Sequence, residues 1–224
     1  MDNLNFWFLN IDISDKNSGI EQSSLLRSEL FCQYFSDVGF ITQKYSPHQY
    51  FKFNKLISVK PFSDKLSLIN IYDILQDIDR CFPSFSDPDL SFNKDGFKKI
   101  LDKNNNLKIF GLNKELKMYL IYSDERIHYI NHFHCKKIWR RDYYDCFGFL
   151  SCTQFLSQVD SSVTQIIYYR QNATVALIKD YIYSDANKVS GLRIQVISNN
   201  GSLICVFNSE AELVFYALSL FFKK

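Results

Sequence analysis

The sequence predicts an α+β protein whose main sheet is antiparallel, built from the C-terminal half, and packed with two helices of the N-terminal half and a C-terminal helix. Three observations carry this. Residues 107–208 break into short apolar runs of strand length separated by turn residues. Two stretches before residue 82, and one at the C-terminus, repeat apolar residues at spacings of three and four. The two patterns are segregated along the chain, which argues against a βαβ array.

Residues 4–13 (LNFWFLNIDI) are rich in β-formers and read as a strand. The next segment, GIEQSSLLRSELFCQYFSDVG, places Leu26, Leu30, Phe31, Tyr34, Phe35 and Val38 at helical spacing, with Gly39 as its stop. Residues 40–59 return to β character in FITQKY and YFKFNKLISV, broken by Pro47. Pro61 and Ser63 introduce a second helix over 64–81, with Leu68, Ile71, Tyr72, Leu75 and Ile78 as its stripe and Pro83 as its end. Residues 83–96 read as a loop, and a short helix over 94–102 precedes the turn at Asn104–Asn106.

Serial strands follow: LKIFGL, ELKMYLIYS, RIHYINHF, then VTQIIYYR, ATVALIKDYI, GLRIQVIS and SLICVFN. Asn199-Asn200-Gly201 joins the last two as a hairpin turn. Ser209 and Glu212 form a capping box before AELVFYALSLFF. That helix is apolar nearly all round, so it calls for deep burial or a covering partner, and it offers a surface for oligomerisation. The expectation is one α+β domain over 1–224, with a subdivision into a helix-containing 1–82 and a sheet-bearing 107–224 left open.

A chain of 224 residues, 46% hydrophobic and with net charge +2, is not disordered. Seven glycines and four prolines exclude collagen-like or linker architecture. The start has an acid at position 2 and no basic n-region, so no secretory signal is read there. The longest apolar run is about a dozen residues where roughly 20 span a bilayer. These features lead to the expectation of a cytoplasmic protein with no membrane partner. They also lead to reduced thiols at Cys32, Cys81, Cys135, Cys146, Cys152 and Cys205, which include no CxxC pair.

Candidate chemistry gathers in residues 126–146 (RIHYINHFHCKKIWRRDYYDC). As a strand, the segment would put His128, His132 and His134 on one face with Ile130. His132 and His134 are close enough to share a metal ion, with Cys135, Asp142 or Asp145 as a third ligand. No HExxH, CxxC or zinc-knuckle spacing accompanies them, so no metal is expected. Residues 126–141 hold Arg126, Lys136, Lys137, Arg140 and Arg141 and no acid. Read as a helix, KKIWRRDYYD gathers Lys136, Lys137, Arg140, Arg141 and Tyr144 on one side. With Trp139 and Tyr143 these are parts for gripping phosphates and stacking bases. Residues 73–95 hold six Asp against Arg80 and Lys94. Their Asp87, Asp89, Ser91 and Asn93 alternate like a calcium loop, but Phe92 stands where a calcium hand needs Gly and Lys98 where it needs Glu. No GxGxxG, GxxxxGK[ST] or GxSxG occurs, so no cofactor is expected.

Two functions then compete. The first is a non-enzymatic intracellular binding protein of inhibitor, immunity or antitoxin kind. It would act on another protein through aromatic anchors drawn from 21 Phe and 14 Tyr. The alternative is an RNA- or DNA-binding protein, extending to a metal-independent nuclease with His132 or His134 catalytic. Either would bind through Arg126, Lys136, Lys137, Trp139, Arg140, Arg141, Tyr143 and Tyr144.

Overall fold

Apolar strand segments in the N-terminal third pair side by side in one direction, and helices carry the chain back between them. The computed structural model describes residues 5–12, 19–35, 37–59, 66–78, 97–123, 125–184 and 188–223. It divides into two compact units, Met1–Leu75 with Val214–Lys224, and Gln76–Leu213.

In the first unit β1 (Asn5–Asn10), β2 (Asp37–Thr42) and β3 (Leu66–Asn70) form a parallel sheet in that order. Helices α1 (Gly19–Phe31) and α2 (Gln49–Val59) make the two crossovers that parallel neighbours require. Helix and strand therefore alternate here, and the segregated pattern expected from sequence is corrected. The run YFKFNKLISV is helix α2, not a strand. Its Phe53, Leu56 and Ile57 meet the core at spacings of three and one, the positions of a helical face. The helix expected over 64–81 is instead β3 followed by the five-residue α3 (Ile71–Leu75). Leu66, Leu68 and Asn70 are buried and alternate with half-buried Ser67 and Ile69, a period of two.

Gly39 does not stop α1, which ends at Phe31; it sits in β2. A Cβ there would lie 2.3 Å from the Trp7 ring and 2.7 Å from Ser67 Oγ, so only glycine lets the three strands close up. The core of this unit is Leu25, Cys32, Val38, Phe40, Phe53, Leu66 and Leu68. Phe8, Phe31 and Phe35 pack against it, and together with Phe6 they pack on one another at ring-centroid distances of 4.4–5.6 Å, so much of the aromatic surplus is spent on packing.

The second unit is a ten-stranded meander in which every neighbour is consecutive and antiparallel. Its strands are β4 (Lys98–Leu101), β5 (Leu107–Phe110), β6 (Leu116–Ser123), β7 (Arg126–His134), β8 (Lys137–Tyr144) and β9 (Leu150–Leu156). They continue with β10 (Val163–Tyr169), β11 (Val175–Tyr183), β12 (Val189–Ile197) and β13 (Leu203–Phe207). The chain is thus α+β with a mainly antiparallel sheet. Three strands escaped the sequence pattern: β4, where a helix over 94–102 was expected, β8 and β9. The loop expected over 83–96 lies outside the described residues.

The turn between β12 and β13 uses Gly201 at φ 85°, as the Asn-Asn-Gly signal required. α4 (Glu210–Phe221) starts with the expected capping box. Glu212 N donates to Ser209 Oγ at 3.3 Å, and Glu212 Oε2 accepts from Ser209 N at 3.2 Å. Leu213 and Ala217 are buried, while Phe215 is 74% exposed. Buried Lys179 reaches Glu210 Oε1 at 2.5 Å and ties the first turn of α4 to β11. Among the described residues no helix is long and apolar enough to cross a membrane.

Candidate functional site

Residues 126–146, singled out in the sequence, fold into the β7–β8 hairpin. Cys135 and Lys136 make its two-residue turn, both with positive φ (46° and 65°), which matches the right-handed twist of the flanking strands. Because β8 is a strand, the expected one-sided helical array of cations does not exist. Alternation sends Arg140 and Asp142 to one face and Arg141 and Tyr143 to the other.

On the first face, buried Asp142 collects three hydrogen bonds. His132 Nε2 lies 2.8 Å from its Oδ2, Arg140 Nε donates to Oδ1 at 2.8 Å, and Thr153 Oγ1 donates to Oδ1 at 2.7 Å. Burial pushes the Asp142 carboxyl up, but the bonds from His132, Arg140 and Thr153 together hold it below the usual carboxylate value. The adjacent Tyr144 phenol is pushed up to about 12, by burial first and by the Asp142 charge second.

Two bulges shape this hairpin. Between β7 and β8 the register jumps from His132↔Arg140 to Phe133↔Ile138, leaving Trp139 as the extra residue. The Trp139 ring lies 6.2 Å from Phe155, the residue paired with Arg140 across β8 and β9. Trp139, Arg140 and Phe155 therefore share a face with His132. Between β6 and β7 the register jumps from Ile121↔Tyr129 to Tyr122↔Ile127, leaving His128 extra. His128 turns to the rings of Tyr129 and Tyr143, at 5.2 and 6.2 Å. The expectation that His128, His132 and His134 share one face is thus corrected, since a bulge breaks the period of two. Among the described residues no group of three His, Cys, Asp or Glu is placed to hold a metal ion.

The second face of the hairpin is polar and aromatic. Arg141 Nε donates to Asn131 Oδ1 at 2.7 Å, and its guanidinium lies 5.2 Å over the Tyr129 ring. Tyr143 donates to Gln154 Oε1 at 3.4 Å. The remaining expected cations are dispersed. Arg126 Nη1 donates to the Cys146 carbonyl at 2.7 Å, Lys137 Nζ to the Gln158 carbonyl at 2.5 Å, and Lys136 stands exposed in the turn.

The face of Trp139 and Arg140 continues across the sheet. Gln165 lies opposite Phe155, and Asp180 opposite Gln165. Gln165 Nε2 donates to Asp180 Oδ1 at 2.7 Å, and Gln195 Nε2 to Asp180 Oδ2 at 3.1 Å.

A second cluster, missed in the sequence, lies at the carboxyl ends of the parallel strands, where open α/β sheets bind ligands. Thr42 ends β2, Asn70 ends β3, and Gln49 opens α2; all three are buried. Asn70 Nδ2 donates to Gln49 Oε1 at 2.7 Å and to the Lys44 carbonyl at 2.7 Å, while Thr42 Oγ1 donates to Gln49 Oε1 at 3.1 Å. Asp12 and Lys44, just past β1 and β2, pair at 3.4 Å. Gln49 is 1% exposed, and its Nε2 has no hydrogen-bond partner among the described residues. A buried amide donor left unmade is costly, about 1–3 kcal/mol, and marks a place where an acceptor fits. The available signal was the polar residue closing each apolar strand, Thr42 after FI and Asn70 after LI. It became legible only once the parallel pairing was known.

No family model matches the chain, and no curated protein matches it. Solved structures do. A mutant of S. aureus TarM in complex with Fondaparinux, alpha-GlcNAc-glycerol and UDP matches at TM-score 0.67 and 15% identity over 96% of this chain and 42% of its own. The pneumococcal O-GlcNAc transferase GtfA in complex with UDP and GlcNAc matches at TM-score 0.68 and 14% identity, over 98% of this chain and 41% of its own. The Glycosylation Associate Protein (Gap123) complex of Streptococcus agalactiae matches at 0.69 and 11%, over 98% and 44%. The chain spans under half the length of these structures, and identities this low show the fold alone.

That fold corrects both functional expectations. The inhibitor-, immunity- or antitoxin-like binding protein and the nucleic-acid-binding or nuclease alternative rested mainly on missing motifs and on a cationic helix. The helix is a strand, and the solved structures that share this fold include an O-GlcNAc transferase and a glycosylation-associated protein complex.

Proposed function

We propose that this chain works in glycosyl transfer. It supplies an α/β unit that holds a sugar-bearing ligand at the carboxyl ends of β2 and β3, and an antiparallel platform for an acceptor or partner protein. The observation that carries this reading is the buried Thr42–Gln49–Asn70 cluster with the unmatched Gln49 amide, at the edge where parallel α/β sheets take ligands. Sugar hydroxyls, acetamido carbonyls and phosphate oxygens are the acceptors such a donor suits. The likeness to glycosyltransferases over nearly the whole chain supports the same choice of ligand class.

In this role the chain's own residues bind and orient. Asn70 and Thr42 fix the Gln49 carbonyl end, so the Nε2 protons point in one direction before a ligand arrives, which cuts the ordering cost of binding. The two compact units are read as separate parts, ligand-holding and platform, in place of one continuous domain. A protein partner is supported by the neighbours solved as assemblies, among them the GtfA/B complex and the Gap123 complex.

Saturation-transfer NMR on the purified chain with UDP-GlcNAc, UDP and GlcNAc tests the reading. Saturation reaching the N-acetyl and pyranose protons of UDP-GlcNAc or GlcNAc is the expected result. No transfer to any of the three at millimolar ligand contradicts it.

A further inference from the structure

We propose that the face of the sheet carrying Trp139, Arg140 and His132 is a subsite for an anionic saccharide, with a pyranose ring on Trp139 and the sugar's carboxylate or sulfate held by the Arg140 guanidinium. The choice of a saccharide rests in part on the glycosyl-transfer reading; the geometry of the subsite stands apart from the cluster at β2 and β3.

One buried carboxylate organises the anion-binding end. Asp142, its side chain 4% exposed, takes Arg140 by Nε and His132 by Nε2, and Thr153 fills a further lone pair. Held in this way, Arg140 keeps its two terminal nitrogens, and His132 its Nδ1, clear of any partner among the described residues. Their side chains are 33% and 21% exposed, enough to meet a ligand. Asp142 is buried, so the terminal N–H groups of Arg140 are the donors this end presents. A planar guanidinium clamped at Nε offers its remaining N–H groups as a fork, the geometry that matches a carboxylate or sulfate with two parallel bonds. Because Arg140 is held by its bond to Asp142 before binding, little side-chain freedom is lost on capture.

The stacking end comes from the bulge in β8. The bulge places Trp139 on the side of Arg140, where the residue is 38% exposed and its ring is backed by Phe155 at 6.2 Å. A half-open indole beside a charged fork is a flat apolar surface for the C–H face of a sugar ring, with the sugar's polar rim in reach of the fork. A bare anion has no use for the ring, and an apolar ligand has none for the fork. The same face runs on through Gln165, Asp180 and Gln195, two to four strands or about 10–19 Å away, giving room for further sugar units. Gln165 and Gln195 cap Asp180, and Arg193 lies opposite it in register. The acid therefore sits among donors at the far end, away from the anion fork.

Calorimetric titration of the full chain tests the subsite with four probes: a hyaluronan tetrasaccharide (carboxylate), a heparin-type pentasaccharide (sulfate), neutral chitotetraose, and inorganic phosphate. At least one anionic saccharide is expected to bind about tenfold tighter than chitotetraose or phosphate, the size of effect one charge-assisted fork supplies. Arg140→Gln should erase that preference, and Arg140→Lys should restore only part of it, because charge returns without the fork. Trp139→Ala should weaken every saccharide by about three- to tenfold and leave phosphate unchanged. Arg141→Gln, on the opposite face, should change affinity by less than about twofold. Equal losses in Arg141→Gln and Arg140→Gln, equal binding of chitotetraose, or no saccharide binding by wild type would overturn the subsite. Saturation transfer to UDP-GlcNAc, recorded on the same samples, reports separately on the glycosyl-transfer reading.

Discussion

Asp142 joins three strands through one side chain: His132 from β7, Arg140 from its own strand and Thr153 from β9. Its folded-state pKa lies below the ordinary carboxylate value, so the ionised form is favoured by folding. The stability this contributes is fully present above the unfolded pKa, near 3.9, and is lost as pH falls through the folded value. In urea titrations the wild-type midpoint should therefore drop below about pH 4, and Asp142→Asn should flatten that acid limb. At neutral pH the same variant should be less stable by about 3 kcal/mol, because Arg140 and His132 lose a charged acceptor. Identical acid limbs would show that Asp142 does not contribute to the fold in this way. Residues 126–146 were legible as the chemically dense segment, but the sequence offered Asp142 only as a third metal ligand. Its actual role depends on Thr153, eleven residues on, in a strand that the hydrophobic pattern did not reveal.

At the scale of elements, β2 shows how tertiary packing overrides local signals. DVGFIT sits between two strands and is buried from Val38 to Thr42, as a parallel strand covered on both faces must be. Its glycine looked like punctuation; it is instead the place where the Trp7 side chain, itself packed edge-on against Phe221 at 4.9 Å, crosses the central strand. Gly39→Ala should cost about 1–3 kcal/mol by overpacking and should perturb Trp7 fluorescence before global unfolding. A fully stable variant with unchanged emission would mean that the close approach is not real. Elements with strong local punctuation were readable: the Asn-Asn-Gly hairpin and α4 with its Ser209–Glu212 box; α1 was readable as a helix, but not its end at Phe31 nor its buried face, since Leu26 and Leu30 of the expected stripe are exposed. YFKFNKLISV and KIWRRDYY were not, because each mixes β-formers with helical spacing, and only the neighbouring strands decide between them. The Cys135-Lys136 turn was equally silent, since neither residue is a usual choice for positive φ.

For the whole molecule, a mainly antiparallel sheet from the C-terminal half was foreseen, and the parallel unit was not. A ten-strand serial sheet announces itself through repeated short apolar runs, whereas three parallel strands separated by helices need long-range pairing that no local pattern records. Function followed the same division. Catalytic fingerprints are local in sequence, whereas the proposed ligand site joins the ends of β2 and β3 with the first residue of α2, brought together only by the fold. The most direct measurement is therefore the side-chain amide resonance of Gln49 in a nitrogen-15 NMR spectrum as UDP-GlcNAc or GlcNAc is added. The account predicts saturable shifts of the Gln49 and Asn70 amides, abolished in Gln49→Leu and retained in Trp139→Ala. Saturable ligand shifts that bypass both amides, or amides unmoved at saturating ligand, would contradict it.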